Sequence, residues 1–157
     1  MKKSNRSDKN LPPLKKVLIC GGGGRENALA WAIRKNPTIQ EVWVAPGNGG
    51  TNNHHGCTRL DIKENDSKRL IEHCLLNRVD LVVIGPEAPL AEGLADELRK
   101  VGLAVFGPSS TGAKLESSKT WAKQLMEEAG VPTAKHWTAN KEDEALLILK
   151  KLNQPLV

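Results

Sequence analysis

The sequence predicts an α/β protein built on an open parallel sheet with helices on its faces. Short apolar runs alternate with amphipathic helical stretches between residues 17 and 106. Strands that alternate with helices in this way are joined by right-handed crossovers and lie parallel. Four consecutive glycines, residues 21–24, directly follow the first apolar run, which places a backbone turn without side chains at the end of a strand.

Three strands and one helix are predicted before residue 63. Residues 17–20 and 42–44 are apolar runs typical of buried strands, and residues 57–62 form a weaker third one. A helix is predicted from residue 25 to about residue 35, where Asn36-Pro37 ends it. Its inner face consists of Leu29, Ala32 and Ile33.

The next stretch repeats the alternation of strand and helix. A helix capped by Asp66 or Ser67 runs to about residue 77 and is followed by the clearest strand, residues 80–84. A second helix, residues 89–101, precedes a strand at residues 104–106. The residues expected to face the sheet are Leu70, Ile71, Cys74 and Leu75 in the first helix, and Leu90, Leu94 and Leu98 in the second.

The pattern changes to mainly helical after residue 109. Helices are predicted at residues 111–116, 118–129 and 141–152, a strand at 136–138, and the start of a strand at 154. Gly130 is expected to end the middle helix. The residues predicted to face inward are Trp121, Leu125 and Met126, followed by Ala145, Leu146, Leu149 and Leu152. Because the chain stops as a strand begins, we expect it to be cut short and to expose Trp121, Trp137 and Leu149.

Composition excludes several classes of function. The apolar share is 39%, the charged share 26% and the formal net charge +5. Residues 1–16 hold six Lys or Arg and one Asp, so the remainder is near neutral and carries no nucleic-acid patch. Residues 1–15 lack the apolar core of a secretory signal and are interpreted as a disordered leader. No stretch has the length of a membrane span, and Cys20, Cys57 and Cys74 are expected to be buried free thiols in a reducing compartment.

Four loops directly follow predicted strands, at residues 21–25, 46–50, 85–89 and 107–109. In a parallel sheet the carboxyl ends of all strands lie at one edge, so these loops converge on one rim. Open α/β sheets bind their ligands at that rim. The convergence therefore predicts a ligand site more strongly than any one loop does.

The glycine loop favours a phosphate. Bare N–H groups and the positive end of a helix dipole both attract anions. A dinucleotide fingerprint would need glycine where Glu26 or Asn27 stands and a carboxylate after the second strand, where the chain reads Val44-Ala45-Pro46. A P-loop would need a Gly-Lys-Ser/Thr sequence, which does not follow. Two interpretations of the glycine loop remain: a site for a small phosphorylated ligand, and a glycine turn that binds no ligand.

Longer motifs carry a resemblance to a known family. They are the segments 21–31 (GGGGRENALAW), 44–51 (VAPGNGGT), 82–90 (VVIGPEAPL) and 106–109 (FGPS). In order and spacing they resemble the N-terminal domain of the phosphoribosylamine–glycine ligase family, the glycinamide ribonucleotide synthetases of purine biosynthesis. Segments 115–123 and 130–134 resemble the part of that family that enters its ATP-grasp region. The resemblance runs from about residue 16 to residue 157.

This resemblance implies a domain organisation and an activity. Residues 16–110 would form a Rossmann-like pre-ATP-grasp domain that binds phosphoribosylamine, and residues 111–157 a linker and the incomplete start of an ATP-grasp domain. The family is a cytoplasmic ligase that joins glycine to 5-phosphoribosylamine through glycyl phosphate, converting ATP to ADP and phosphate. Its cofactors are ATP and Mg²⁺, with Mn²⁺ as an alternative ion.

Site residues follow from the resemblance position by position. No catalytic residue and no metal ligand is expected within this chain, because the family's magnesium carboxylates lie further along the polypeptide. The 5-phosphate would lie on the glycine loop, the ribose hydroxyls on Glu87, and ATP on Lys119. The substrate-binding set implied is Gly22, Gly23, Gly24, Arg25, Glu26, Asn27, Pro46, Gly47, Asn48, Gly85, Pro86 and Glu87.

Two departures from the family leave alternatives open. Many members have His where this chain has Asn27, and Asn can hydrogen-bond but cannot titrate near neutral pH. Members also continue for well over two hundred further residues, so the chain alone is expected to be inactive and to associate with a missing C-terminal part. The alternatives are a free-standing sugar-phosphate-binding module and a related ATP-grasp carboxylase, and the Gly-Pro-Glu-Ala-Pro-Leu segment favours the glycine ligase over the latter.

Overall fold

The computed structural model describes residues 13–152. The strands are β1 Lys16–Gly21, β2 Glu41–Pro46, β3 Cys57–Arg59, β4 Leu81–Ile84 and β5 Val105–Phe106. The helices are α1 Gly24–Arg34, α2 Ser67–Asn77, α3 Glu87–Ala91, α4 Leu94–Lys100, α5 Ser110–Ser117, α6 Lys119–Glu128 and α7 Glu142–Lys151, with a 3-10 turn at Thr51–Asn53. None of the helices within residues 13–152 has the length and apolar character that crossing a membrane requires.

The five strands form one parallel sheet in the order β3-β2-β1-β4-β5. This confirms the predicted open parallel α/β architecture. β1 is central, and its residues 16–21 align one-to-one with residues 41–46 of β2. The chain moves outward from β1 to β3 and then crosses back to β4 on the other side of β1. The order therefore reverses between β1 and β4.

The core lies on both faces of the sheet, as expected when crossover helices cover a parallel sheet. On one face Leu18, Cys20 and Val82 pack with residues of α2 and α4. On the other, Val17, Ile19 and Val44 pack against α1. The predicted inward residues Leu70, Cys74, Leu90, Leu94 and Leu98 are buried, whereas Ala32 and Leu75 are exposed, which corrects their prediction. Both lie at the margins of their helices' apolar faces.

Two predicted elements differ in extent from the structure. β3 ends at Arg59, whereas the sequence predicts a strand to residue 62. The prediction is too long because Leu60 and Ile62 pack on the core beyond the end of the strand. The single helix predicted at 89–101 is two helices, α3 and α4. Gly93 separates them with a φ of 95°, a left-handed conformation that glycine adopts readily and that a helix interior does not allow.

Both outer strands make side-chain contacts near their ends. On β3, the backbone N–H of Arg59 donates to Asn52 Oδ1 at 2.8 Å. Beside β5, the Arg99 guanidinium donates to the carbonyls of Val105 and Gly107. These contacts tie the two ends of the sheet to the preceding loop on one side and to α4 on the other.

The chain divides into two compact units, residues 1–113 and 114–157. The described part of the second unit contains α6 and α7. Ser118 caps α6, and Gly130 ends it with N–H bonds from Gly130 to Glu127 O and from Val131 to Met126 O, which is a Schellman motif. Trp121 and Met126 are half-buried, whereas Leu125, Trp137, Leu146 and Leu149 are exposed.

The strand predicted at residues 136–138 is not formed. Residues 131–139 have no regular structure, and no strand within residues 114–152 lies beside them to complete a ladder. Exposed backbone without a paired strand has no reason to stay extended. The strand predicted from residue 154, and the leader over residues 1–12, lie outside the described residues.

Candidate functional site

The loops after β1, β2 and β4 lie side by side at the carboxyl edge of the sheet. The N–H of Gly47 donates to Gly21 O at 3.2 Å, and the N–H of Gly85 donates to Cys20 O at 3.1 Å. These bonds continue the strand ladders into the loops. The predicted convergence of these three loops on one rim is therefore present in the structure.

The middle of this rim is the point where the strand order reverses, between β1 and β4. Crevices at such reversals are the usual ligand sites of open α/β sheets. Helix α1 begins there at Gly24, directly after the glycine loop. The N–H groups of its first turn have no acceptor within the helix, and together with the helix dipole they favour an anion.

Glu26 is turned back under the glycine loop. It is 3% exposed, and its carboxylate accepts the N–H of Gly23 at 2.8 Å and the Nε–H of Arg25 at 2.8 Å. The first bond is half of a capping box, in which the third helical residue holds the N-cap backbone. The Gly23 N–H is thus already bonded within the protein.

Arg25 and Glu87 meet across the rim. Arg25 Nη2 lies 3.9 Å from Glu87 Oε2, and each side chain is about half exposed, at 54% and 52%. Glu87 is the first residue of α3, directly after Gly85 and Pro86. The structure therefore brings together a cation from the first loop and a carboxylate from the loop after β4, two groups suited to a phosphate and to ribose hydroxyls.

Asn48 joins the second loop to the first. Its Nδ2 donates to the carbonyls of Gly22 and Gly23 at 3.1 Å each, and its Oδ1 accepts the N–H of Gly50 at 2.8 Å. Gly47 has a φ of 61°, and a Cβ there would meet Thr51 Oγ1 at 2.9 Å. Both residues thus hold the β2 loop against the glycine loop, and Pro46 leads into it.

Asn27 carries an unused hydrogen-bonding atom. Its Oδ1 is buried without a partner, and its side-chain amide lies 3.3–3.5 Å from the position that a Cβ on Gly50 would occupy. A buried acceptor without a donor is costly in free energy. Asn27 therefore offers a hydrogen-bonding group beside the loop after β2.

Arg59 and Thr51 belong to this rim, although sequence reasoning missed them. Arg59 Nε donates to Pro46 O at 2.9 Å, and its Cγ lies 3.1 Å from the position that a Cβ on Gly47 would occupy. Thr51 is fully buried and its Oγ1 accepts the N–H of Asn48 at 3.0 Å. A basic residue at a strand's end could have signalled Arg59, but the predicted strand ran three residues too far.

Burial excludes the cysteines from nucleophilic chemistry. All three are free and buried, which confirms the prediction for the thiols. Burial raises the pKa of Cys20 far above its usual value and raises that of Cys74 to about 12. Burial also raises the pKa of Cys57, against the lowering effect of Arg34. None of these thiols ionises readily near neutral pH.

The described residues do not fit a magnesium site. Within residues 13–152, no three His, Cys, Asp or Glu side chains lie together in a way that could hold a metal ion.

In the second unit, Lys119 is exposed at the start of α6, whereas Lys123 Nζ is bonded to Thr133 Oγ1 and Ala134 O at 2.6 and 3.0 Å. Lys119 is the more exposed of these two lysines.

Comparison with known families and proteins agrees with this geometry. The family model described as phosphoribosylglycinamide synthetase, N domain, matches residues 15–116. A phosphoribosylamine–glycine ligase of Nostoc sp. is 44% identical over 142 residues, which is 90% of this chain and 33% of that protein. One from Clostridium acetobutylicum is 40% identical over 142 residues, 90% of this chain and 34% of that protein. The chain spans about a third of the length of these relatives.

Solved structures share the fold at low sequence identity. The biotin carboxylase domain of a 2-oxoglutarate carboxylase from Hydrogenobacter thermophilus has a TM-score of 0.66 and 20% identity, over 92% of this chain and 34% of that one. A structure named glycinamide-RNase-transformylase T from Mycobacterium tuberculosis has a TM-score of 0.65 and 15% identity, over 90% and 40%. At these identities the likeness concerns the fold.

Proposed function

The chain belongs to the family of phosphoribosylglycinamide synthetase N domains, and we propose that it serves a phosphoribosylamine–glycine ligase by binding 5-phosphoribosylamine at the β1–β4 rim. The observation that carries this proposal is the pairing across the rim of Arg25 and Glu87, beside the glycine loop and the start of α1. Glycine amides, a helix N-terminus and a guanidinium suit the 5-phosphate, and a carboxylate accepts hydrogen bonds from ribose hydroxyls.

Each part of the rim has a proposed share in this binding. Gly22 and Gly24, with Arg25, would face the phosphate, and Glu87 would hold the ribose. Asn48 supports the proposal by fixing the glycine-loop carbonyls away from the anion, since its Nδ2 holds two of them. Asn27 offers a hydrogen bond to the ligand in place of the histidine of many relatives.

The whole reaction needs more than these residues. In the ligase we propose, ATP phosphorylates the carboxylate of glycine to give glycyl phosphate and ADP, and the ribosylamine nitrogen then displaces the phosphate. Lys119 would contact ATP. The described residues do not fit a magnesium site, so a metal-dependent step would need groups other than these, and we expect the 157-residue chain alone to be inactive. ADP release that depends on both glycine and phosphoribosylamine would contradict this expectation.

Binding is tested by titrating the chain with ribose 5-phosphate, a stable analogue of the labile amine, while following amide signals by NMR. We expect shifts at residues 22–25, at Asn48 and at Glu87, and far weaker shifts with ribose or inorganic phosphate alone. Glu87→Gln is expected to weaken binding about tenfold, which corresponds to 1.4 kcal/mol. Glu92→Gln removes the same charge from an exposed residue at the end of the same helix and controls for charge. Unchanged signals in the glycine loop would reject the site.

A further inference from the structure

A buried carboxylate, that of Glu26, lies beneath the rim. Glu26 and Thr51 are the polar or charged residues that are buried within residues 13–152, and of the two only Glu26 carries a charge. Burying a carboxylate is costly unless hydrogen bonds compensate for the lost water. Its two oxygens have such partners, since Oε2 accepts the Gly23 N–H and Oε1 accepts the Arg25 Nε–H, both at 2.8 Å.

The surrounding glycines leave room for this carboxylate. A Cβ on Gly85 would lie 2.0 Å from Glu26 Oε1, and one on Gly23 would lie 2.8 Å from Oε2. A Cβ on Gly21 would meet Glu26 Cγ at 2.6 Å. Gly21 and Gly23 belong to the loop after β1, but Gly85 belongs to the loop after β4, so the carboxylate fills the space where the two loops meet.

We propose that Glu26 is a positioning residue that fixes the Arg25 guanidinium and the glycine loop for the anion, rather than a residue that contacts the ligand. This inference rests on the proposed function. The Glu26 carboxylate binds Nε of Arg25, which leaves the outer edge of the guanidinium, where Nη2 lies, directed toward Glu87. It also holds the Gly23 amide at the N-cap of α1. One side chain therefore fixes the positions of the Arg25 guanidinium and the glycine loop, and fills the space between the glycine loop and the loop after β4.

The direction in which Glu26→Gln changes the Kd for ribose 5-phosphate separates positioning from a simple charge effect. Glu26→Gln keeps the length of the side chain, and its carbonyl oxygen can still accept the Gly23 N–H, as Gln does in capping boxes. Its amide NH₂ would then face the Arg25 Nε–H, donor against donor, so the bond that orients Arg25 from this side is lost. If Glu26 acted only as a negative charge near the phosphate, its removal would tighten binding. If it positions Arg25, removal weakens binding.

The experiment titrates ribose 5-phosphate into the 157-residue chain and into its Glu26→Gln and Glu92→Gln variants, with amide NMR spectra to check folding. We expect Glu26→Gln to raise Kd about tenfold, because a hydrogen bond to a charged group is lost, and Glu92→Gln to leave Kd within about twofold. The Arg25 Nε–H signal is expected to exchange faster with water in Glu26→Gln than in the parent, because the Glu26 bond to it is lost. Equal or tighter binding by a folded Glu26→Gln variant overturns the inference and leaves the proposed function intact.

Two further variants keep the test decisive. Arg25→Ala is expected to weaken binding in the parent but to add little in the Glu26→Gln background, because the two residues act through one contact. Fully additive effects overturn the inference. If Glu26→Gln does not fold, Gly85→Ala displaces the carboxylate without replacing it and is expected to weaken binding in the same way. A parent chain that does not bind ribose 5-phosphate removes the proposed function and this inference with it.

Discussion

Leu70 in α2 and Leu147 in α7 lie in similar amphipathic helices with different surroundings. Leu70 is fully buried in the core of the first unit, whereas Leu147 is 59% exposed in the second. The first unit holds its helices through a sheet whose strands are distant in sequence. In the described part of the second unit, Ala122 is the one buried residue, and α6 is held by contacts close in sequence. Capping and patterning are thus enough to form a helix, but they do not supply a core.

The largest expected effect tests this difference directly. Leu70→Ala should lower the free energy of unfolding by about 2–5 kcal/mol, because it leaves a cavity in a packed core. Leu147→Ala should change it by less than about 0.5 kcal/mol, as exposed substitutions do. Urea denaturation followed by circular dichroism measures both. Similar losses in the two variants would mean that Leu147 is buried in solution and would remove the contrast.

A smaller effect shows whether each unit unfolds as a whole or helix by helix, through hydrogen exchange after removal of one helix cap. Asp66 caps α2 and Ser118 caps α6, each accepting a backbone N–H, and replacement of either by Ala should cost about 1 kcal/mol. Asp66→Ala should speed hydrogen exchange about fivefold throughout the slowly exchanging core of the first unit. Ser118→Ala should speed exchange within α6 alone. Equal acceleration in α6 and α7 would show that the second unit opens as one body.

The smallest effect is a dependence on pH confined to the first unit. His73 packs edge-on against Trp43 with ring centroids 5.1 Å apart, and burial lowers its pKa while Glu41 opposes the shift. The unfolded chain therefore takes up a proton near pH 6.5 before the folded chain does. The stability that neutral His73 contributes is complete above this pH and is lost as the pH falls toward the lower, folded pKa.

His73→Gln should remove this part of the pH dependence. We expect the Tm difference between variant and parent to change by about 2 °C at most between pH 7.5 and pH 5.5, with the parent losing more. Thermal unfolding in matched buffers measures it. A parallel loss in both proteins would assign the pH dependence to other groups.

The sequence predicts the strands well and their ends less well. β1, β2 and β4 are mostly continuous apolar runs because both faces of a parallel sheet are covered. Such short, continuous apolar runs are easily identified as strands. For β3 the apolar residues Leu60 and Ile62 suggest a longer strand than the one that forms, because apolar positions report burial and not strand pairing. Gly93 illustrates the same limit, since its left-handed conformation depends on how α3 and α4 pack.

The rim loops could be predicted, but the roles of their side chains could not. Strand ends in a parallel sheet must converge, so the positions of the glycine loop, Asn48 and Glu87 follow from topology. The backward turn of Glu26 depends on Gly85, which comes 59 residues later in the chain and leaves the space that the carboxylate fills. Which groups face a ligand and which support the loop is therefore decided by tertiary contacts.

The outer strands of the sheet have a consequence for how the protein behaves in concentrated solution. An open sheet exposes unpaired backbone groups at both ends, and these can recruit strands from other molecules. Here the Asn52 side chain occupies an N–H of β3, and the Arg99 guanidinium occupies a carbonyl of β5. Two polar side chains thus bond to outer-strand backbone groups that another strand could otherwise pair with, and removing them is expected to favour edge-to-edge association of the sheet.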